Sequence, residues 1–135
     1  MGADGSVHSE RSLQWSTELA VALGAEVIAV HALGMLSHLR TRTSPAPSNE
    51  HREEVRHLLE DEWTRTLRSS GVSYRCILVD GNPVVALMQV AAEQDADLIV
   101  VGTRGVGGFP GLQLGSTSHQ LLQHARCPVV VIPHQ

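Results

Sequence analysis

Short aliphatic runs alternate along the chain with longer segments whose apolar residues recur every three or four positions. The runs predict β-strands, and the longer segments predict helices with one buried face. The predicted strands are Glu26–Leu33, Val72–Val79, Asp97–Val101 and Val129–Ile132. The predicted helices run from the cap Ser9 to Leu23, from the cap Asn49 to Gly71, from Pro83 through the stripe that ends at Ala91, and from the cap Ser116 to about Ala125.

This alternation is typical of an α/β domain in which helical crossovers join parallel strands. We expect one domain over residues 1–135, because that length suits a single core. A strand should also precede the first helix, yet only Met1, Gly2 and Ala3 stand before Asp4. We therefore expect a truncated first strand, and each sheet hydrogen bond lost there costs about 1 kcal/mol.

Composition and charge narrow the classes of function. Apolar residues make up 42% of the 135 and aromatic residues only 3%, so aliphatic side chains must build the core. The net charge of −4 offers no basic surface for nucleic acid. No apolar run approaches the roughly 18 residues that span a bilayer. From the charge and the short apolar runs we expect a protein that binds neither nucleic acid nor membrane. Cys76 and Cys127 lie far apart in a chain with no secretion signal, so we expect both to be reduced thiols in a cytoplasmic protein.

A glycine-rich stretch between the last two strands carries the candidate chemistry. Gly102 and Gly105 are followed, after nine intervening residues, by Gly115 and Ser116. Glycine permits positive φ and lets a polyphosphate approach backbone N–H groups. Gly115 and Ser116 would open a helix, whose N-terminus favours phosphate. The spacing alone also fits a flexible surface loop that binds nothing.

The stretch from Asp97 to Pro133, DLIVVGTRGVGGFPGLQLGSTSHQLLQHARCPVVVIP, closely resembles the universal stress protein family and carries its G-x2-G-x9-G-S/T signature. The resemblance extends to Gly81-Asn82-Pro83, to VIAVHAL and to Ala3-Asp4-Gly5-Ser6. It implies an open, Rossmann-like, five-stranded parallel sheet in the order 3-2-1-4-5, with helices on both faces. It also implies that an adenine nucleotide binds at the carboxyl edge of the strands.

The resemblance assigns a role to individual positions of this chain. Ala3 and Asp4 follow the first strand, where Asp4 would contact adenosine. His31 and Ala32 map to the backbone groups that meet adenine. The remaining positions would surround ribose and phosphates, and they are Val101, Gly102, Gly105, Gly115, Ser116 and Thr117. Arg104 lies within the same loop and could pair with a phosphate or remain solvated. The short first strand departs from the family pattern and affects the position of Asp4 directly.

We expect no catalytic group and no metal site. The sequence shows no combination of a nucleophile, a base and an orienting residue, and it has no P-loop motif with its lysine. Asp80 follows a strand as a catalytic carboxylate would, but turn chemistry with Gly81 explains it equally. His119 and His124 are five residues apart, which does not place them on one helical face for a metal.

The leading hypothesis is therefore a nucleotide-sensing stress-response module that binds ATP, with or without Mg²⁺, or alternatively AMP or cyclic AMP. A second hypothesis is a slow ATPase or autophosphorylating protein that uses Ser116 or Ser118. A third is an interaction protein without nucleotide affinity. The aliphatic strand Val129–Ile132 is expected at a sheet edge, where unpaired backbone groups favour a homodimer, as the resemblance also implies.

Overall fold

Helices alternate with parallel strands in the computed structural model, which describes residues 1–34, 48–104 and 114–133. In chain order the elements are α1 (Val7–Leu23), β1 (Val27–Ala32), α2 (Asn49–His57), a π-helical segment (Leu58–Trp63), α3 (Arg65–Ser70), β2 (Tyr74–Val79), α4 (Pro83–Glu93), β3 (Ile99–Gly102), α5 (Ser116–His124) and β4 (Val129–Ile132). The predicted α/β class is confirmed. Three of the four strands differ from their predicted bounds by one or two residues at an end, as is usual for element boundaries.

The described strands form two parallel pairs. Strand β1 pairs with β2, with Val27 opposite Tyr74, and β3 pairs with β4, with Ile99 opposite Val129. Parallel pairing places the carboxyl ends of both partners at the same edge. Each pair therefore directs the segments that follow its strands toward one end of the domain.

The segment Met1–Ala3 links the two pairs. Gly2 forms an isolated parallel bridge with Val30 of β1, and its backbone N–H donates to the carbonyl oxygen of Val100 in β3 at 3.0 Å. These contacts lie where the first strand of the predicted order would run. The segment forms only a bridge rather than a strand, so the full five-stranded order 3-2-1-4-5 stays a prediction.

Two clusters of buried side chains give the domain its core. One cluster lies toward α1 and α3, and the other toward α4 and α5, because alternate residues of a strand face opposite sides of a sheet. The first comprises Ala3, Leu13, Ala20, Val27, Ala29, Leu59 and Leu67, and the second Val30, Val84, Leu87, Val90, Ile99, Val101 and Leu121. The described strands are thus covered by helices on both faces, as the α/β class requires.

Helix α1 begins earlier than the sequence predicts. Ser6, not Ser9, is its N-cap, and the Ser6 side chain accepts a hydrogen bond from the Ser9 N–H at 3.1 Å. Both serines are suitable caps by residue type. The predicted end is confirmed, because Gly24 adopts the left-handed conformation with φ 65°.

The caps of α2 and α5 each lie one residue before the predicted position. Ser48 caps α2 in place of Asn49, and its side chain accepts from the backbone of His51. Gly115 caps α5 in place of Ser116, which is the first helical residue. Among the described helices, none combines the length and apolar character that a membrane span requires.

The helix predicted from Asn49 to Gly71 is interrupted near its middle. A π-helical turn runs from Leu58 to Trp63, and α3 starts after Thr64. The fully buried Thr64 hydroxyl contacts the carbonyl oxygens of Leu59 and Glu60, at 2.7 and 3.1 Å. Because threonine competes for carbonyls inside a helix, this side chain explains the local widening. The widened turn carries Trp63 toward the carboxyl edge of β1.

Candidate functional site

The connection between β3 and α5 forms one part of the carboxyl edge. The Gly115 N–H donates to the carbonyl oxygen of Thr103, which brings the start of α5 against the end of β3. The Ser118 hydroxyl contacts the carbonyl oxygens of Gly102 and Thr103, at 3.1 and 3.0 Å. Ser118 is 2% exposed, so this contact is an internal bond that sets the direction of α5. The first-turn N–H groups of α5, which have no partner within the helix, therefore lie beside the end of β3.

The glycines of this connection are not explained by the positive φ that the sequence suggests. Neither Gly102 nor Gly115 has positive φ; Gly115 has φ −74°. A Cβ on Gly102 would lie 2.7 Å from the carbonyl oxygen of His8 in α1. A Cβ on Gly115 would lie 3.2 Å from both the Cα of Arg104 and the carbonyl oxygen of Thr103. Close backbone approach, rather than a left-handed turn, therefore selects glycine at position 102 and leaves only tight room for a side chain at position 115.

The turn after Met1–Ala3 forms the second part of the edge. The Asp4 carboxylate accepts from the backbone N–H of Ser6 at 2.9 Å, and the Asp4 N–H donates to the Ser9 hydroxyl at 3.4 Å. Gly5 has φ 77°, a conformation that favours glycine. Local hydrogen bonds thus orient the Asp4 carboxylate at the start of α1, although a full strand does not precede it.

His31 lies at the end of β1, next to this turn. Its Nδ1 is 2.7 Å from the carbonyl oxygen of Ala3. Burial lowers the pKa of His31 below its ordinary value, while the hydrogen bond to Ala3 and the charge of Asp4 partly oppose that decrease. The neighbouring His51 lowers this pKa further. The imidazole is therefore held mainly in its neutral form near neutral pH.

Trp63 completes the surroundings of His31. The two rings meet edge to face, with centroids 5.0 Å apart and planes at 67°. The indole also covers Gly5, where an added Cβ would lie 2.6 Å from its Nε1. The sequence analysis assigns no functional role to Trp63, and it includes Gly5 only through the resemblance. Nothing in the local sequence links residues 5, 31 and 63, because the contact depends on the π-helical turn.

The predicted site residues fall into two groups along the edge. Ala3, Asp4 and His31 lie together, with buried Ala32 next in β1. Gly115 donates a hydrogen bond to Thr103, which directly follows Gly102, and Arg104 lies next to Gly115. Ser116 is exposed and Thr117 half-buried in the first turn of α5. The Val101 side chain packs in the second core cluster, so only its backbone can face this edge. Gly105 lies outside the described residues.

His8 and Thr103 join the two groups. His8, in the first turn of α1, has its Nδ1 3.4 Å from the Thr103 hydroxyl. Sequence reasoning singled out neither residue. Their contact spans 95 positions of the chain, so only the packing of α1 against β3 reveals it.

Acidic and metal-binding side chains give little further chemistry at this edge. Asp80 forms an exposed ion pair with Arg52 at 2.8 Å, which ties α2 to the turn after β2. Within residues 1–34, 48–104 and 114–133, no three His, Cys, Asp or Glu side chains cluster as metal ligands would. The arrangement instead offers backbone donors, hydroxyl groups and the neutral imidazole of His31.

The fold and this edge define an open α/β domain with a glycine-containing strand-to-helix connection beside an aspartate turn. The family description "Universal stress protein family" matches residues 1–133. A curated universal stress protein from Thermus aquaticus is 32% identical over 130 residues, covering 96% of this chain and 93% of that protein. The chain belongs to the universal stress protein family.

Solved structures agree with this assignment. A universal stress protein family member from Burkholderia pseudomallei is 31% identical with a TM-score of 0.72, covering 98% of this chain and 92% of that chain. A universal stress protein crystallised in complex with cAMP is 26% identical, also with a TM-score of 0.72, and covers 100% of this chain and 94% of that chain. These neighbours share the Rossmann-like α/β fold.

Proposed function

We propose that this chain binds ATP or a related adenine nucleotide at the carboxyl edge of its strands and acts as a nucleotide-sensing module in a stress response. The observation that carries the proposal is the hydrogen-bonded junction of β3 and α5, where Gly115, Ser116 and Thr117 begin a helix beside Gly102. A helix N-terminus presents backbone donors and a positive dipole end to an anion. The related protein in complex with cAMP supports an adenine-containing ligand.

The two groups of site residues suggest an orientation for the nucleotide. Phosphates would lie at the start of α5 and near Gly105 and Arg104. The adenosine portion would lie toward Asp4, His31 and Ala32. Mg²⁺, if it accompanies ATP, would be held by phosphate oxygens and water, which is its usual mode with nucleotides.

Calorimetric titration with ATP, ADP, AMP and cyclic AMP, each with and without Mg²⁺, tests the proposal. Gly115→Val should weaken ATP binding at least about tenfold, or about 1.4 kcal/mol, because its side chain would meet Arg104 and crowd the start of α5. Ser116→Ala should cost less, about 0.5–1.5 kcal/mol, since it removes one hydroxyl donor. His119→Ala, on the exposed surface of α5, is the matched control.

Two other outcomes favour the alternative functions. Phosphate release or a phosphorylated protein after incubation with ATP would favour the slow ATPase or autophosphorylating protein. Ser116 is the better candidate for that chemistry, because Ser118 is buried and hydrogen-bonded to two carbonyl groups. Absence of binding by the wild type to all four nucleotides would favour the interaction protein.

We also propose a homodimer formed through β4. Among the described strands, β4 pairs only with β3, and Val129, Val130 and Val131 are only half-buried in the single chain. An aliphatic edge strand with unpaired backbone groups is a favourable surface for a second copy. Such a dimer would bring two nucleotide sites into one assembly, through which occupancy could be sensed.

A further inference from the structure

Thr103, the residue that directly follows β3, connects three other elements of the fold. Its N–H donates to the carbonyl oxygen of Ile132 at the end of β4, at 3.2 Å. Its carbonyl oxygen accepts from the Gly115 N–H and, at 3.0 Å, from the Ser118 hydroxyl, both at the start of α5. Its own hydroxyl lies 3.4 Å from the Nδ1 of His8 in α1. Each polar group of this single residue therefore has a partner in a different element.

The backbone contacts of Thr103 determine which donors at the start of α5 remain for a ligand. An α-helix leaves the N–H groups of its cap and of its first three residues without helical partners. In α5 the N–H of the cap Gly115 is bonded to Thr103, and the first helical hydrogen bond runs from the N–H of His119 to the carbonyl oxygen of Gly115, at 3.0 Å. The N–H groups of residues 116–118 thus have no partner within the helix, and the Thr103 carbonyl group helps to set where they point.

The side chain of Thr103 is needed only for the contact with α1. Any residue except proline could make the same backbone bonds, but only a side chain with a donor or an acceptor can bond to His8. A hydroxyl both donates and accepts, so this contact forms with either tautomer of the ring. Helix α1 is already close here, because an added Cβ on Gly102 would lie 2.8 Å from the Cβ of His8. Since a β-branched side chain has few allowed rotamers, holding the hydroxyl also restrains the backbone of residue 103.

We propose that Thr103 is a positioning residue for phosphate binding, whose hydroxyl contact with His8 holds the carbonyl group that orients the start of α5. The inference rests on the proposed function, which places phosphates at that helix. In this arrangement neither Thr103 nor His8 contacts the ligand, and both act through Gly115 and the N–H groups that follow it. The effect of the Thr103 hydroxyl on ATP affinity should therefore require His8.

Two substitutions at position 103 isolate the hydroxyl. Thr103→Val keeps the branched shape and the backbone hydrogen bonds, whereas Thr103→Ser keeps the hydroxyl. Calorimetric titration should show that Thr103→Val weakens ATP binding about three- to tenfold, the loss expected for one hydrogen bond, and that Thr103→Ser stays within about twofold of wild type. Thr66→Val makes the same chemical change on the exposed surface of α3 and should leave ATP binding unchanged. Because calorimetry measures the folded protein, a variant that is only less stable keeps its affinity below its melting transition.

A double-mutant cycle with His8 distinguishes positioning from direct contact with the nucleotide. His8→Leu removes the ring nitrogen, so in that background Thr103→Val should change the affinity for ATP by less than about twofold. A hydroxyl that touched the nucleotide itself would lower the affinity by the same factor in both backgrounds. His8→Asn keeps a polar group near the position of Nδ1 and should restore the dependence on Thr103.

Three results would overturn the positioning role while leaving nucleotide binding intact. They are an unchanged ATP affinity in Thr103→Val, an equal loss in Thr103→Ser, and the same loss in the wild-type and His8→Leu backgrounds. If Thr103→Val did not fold, the two His8 variants would measure the contact from α1. A loss of ATP affinity in His8→Leu with recovery in His8→Asn supports the proposal, and equal affinities overturn it. If the wild type bound none of ATP, ADP, AMP and cyclic AMP, the proposed function would fail, and the positioning role with it.

Discussion

Replacing Gly102 by alanine tests whether the close approach of α1 to β3 organises the candidate site. Gly102 does not have positive φ, and at such a position a glycine-to-alanine change ordinarily stabilises a protein by about 0.4–1 kcal/mol, through lower entropy of the unfolded chain. Here the added Cβ would lie 2.7 Å from the carbonyl oxygen of His8 and 2.8 Å from its carbonyl carbon. Both contacts involve backbone, which cannot rotate away. We expect α1 and β3 to separate by several tenths of an ångström and the unfolding free energy to fall by about 1–3 kcal/mol.

Urea unfolding and ATP titration of the same variant measure both consequences. Because the Thr103–His8 contact and the Ser118 bond to Gly102 lie at this junction, the affinity for ATP should fall together with stability. Gly115→Ala is the matched control for the stability measurement, since its Cβ would lie at a milder 3.2 Å from its neighbours and should cost less. A Gly102→Ala protein as stable as wild type, or more stable, would refute the reasoning. A steric clash lowers the free energy of unfolding, whereas an alanine in open space would raise it.

Three further predictions concern other parts of the chain. Burial lowers the pKa of the Met1 ammonium group from 8.0 to about 5. Between these two values the unfolded chain binds more protons than the folded chain. The free energy of unfolding should therefore fall by up to about 4 kcal/mol as the pH drops from about 8 to 5. An N-terminally acetylated chain should lose this part of the dependence, and parallel pH profiles for the two chains would contradict the prediction. Val130→Lys should shift the sedimentation coefficient from dimer to monomer at tens of micromolar; a wild type that is already monomeric would rule out the β4 interface. Gly5→Ala should destabilise the fold and change the fluorescence of Trp63 in a Trp15→Phe background, because φ is 77° and the added Cβ would meet the indole at 2.6 Å; unchanged emission would argue against that contact.

The sequence by itself determined the features that depend on local chemistry. Gly24 and Gly71 end helices because their left-handed conformations are costly for other residues. Asn82 and Pro83 begin α4 as a cap and a first helical residue. The alternation of aliphatic runs with helical stripes was sufficient for the α/β class, and the glycine signature was sufficient to indicate the family. These signals are read along the chain and require no knowledge of which distant segments contact each other.

Tertiary structure decided the features that depend on contacts between distant segments. The sequence could not predict that Gly102 is required by the backbone of His8, because it contains no information on the distance between α1 and β3. The hydroxyl of buried Thr64 donates to carbonyl oxygens within the π-helical turn, and this turn brings Trp63 onto both Gly5 and His31. The proton of His31 is likewise placed by the carbonyl group of Ala3, which lies 28 positions away. Residue types and spacing specify which groups are available, whereas the packing of helices onto strands specifies which of them meet.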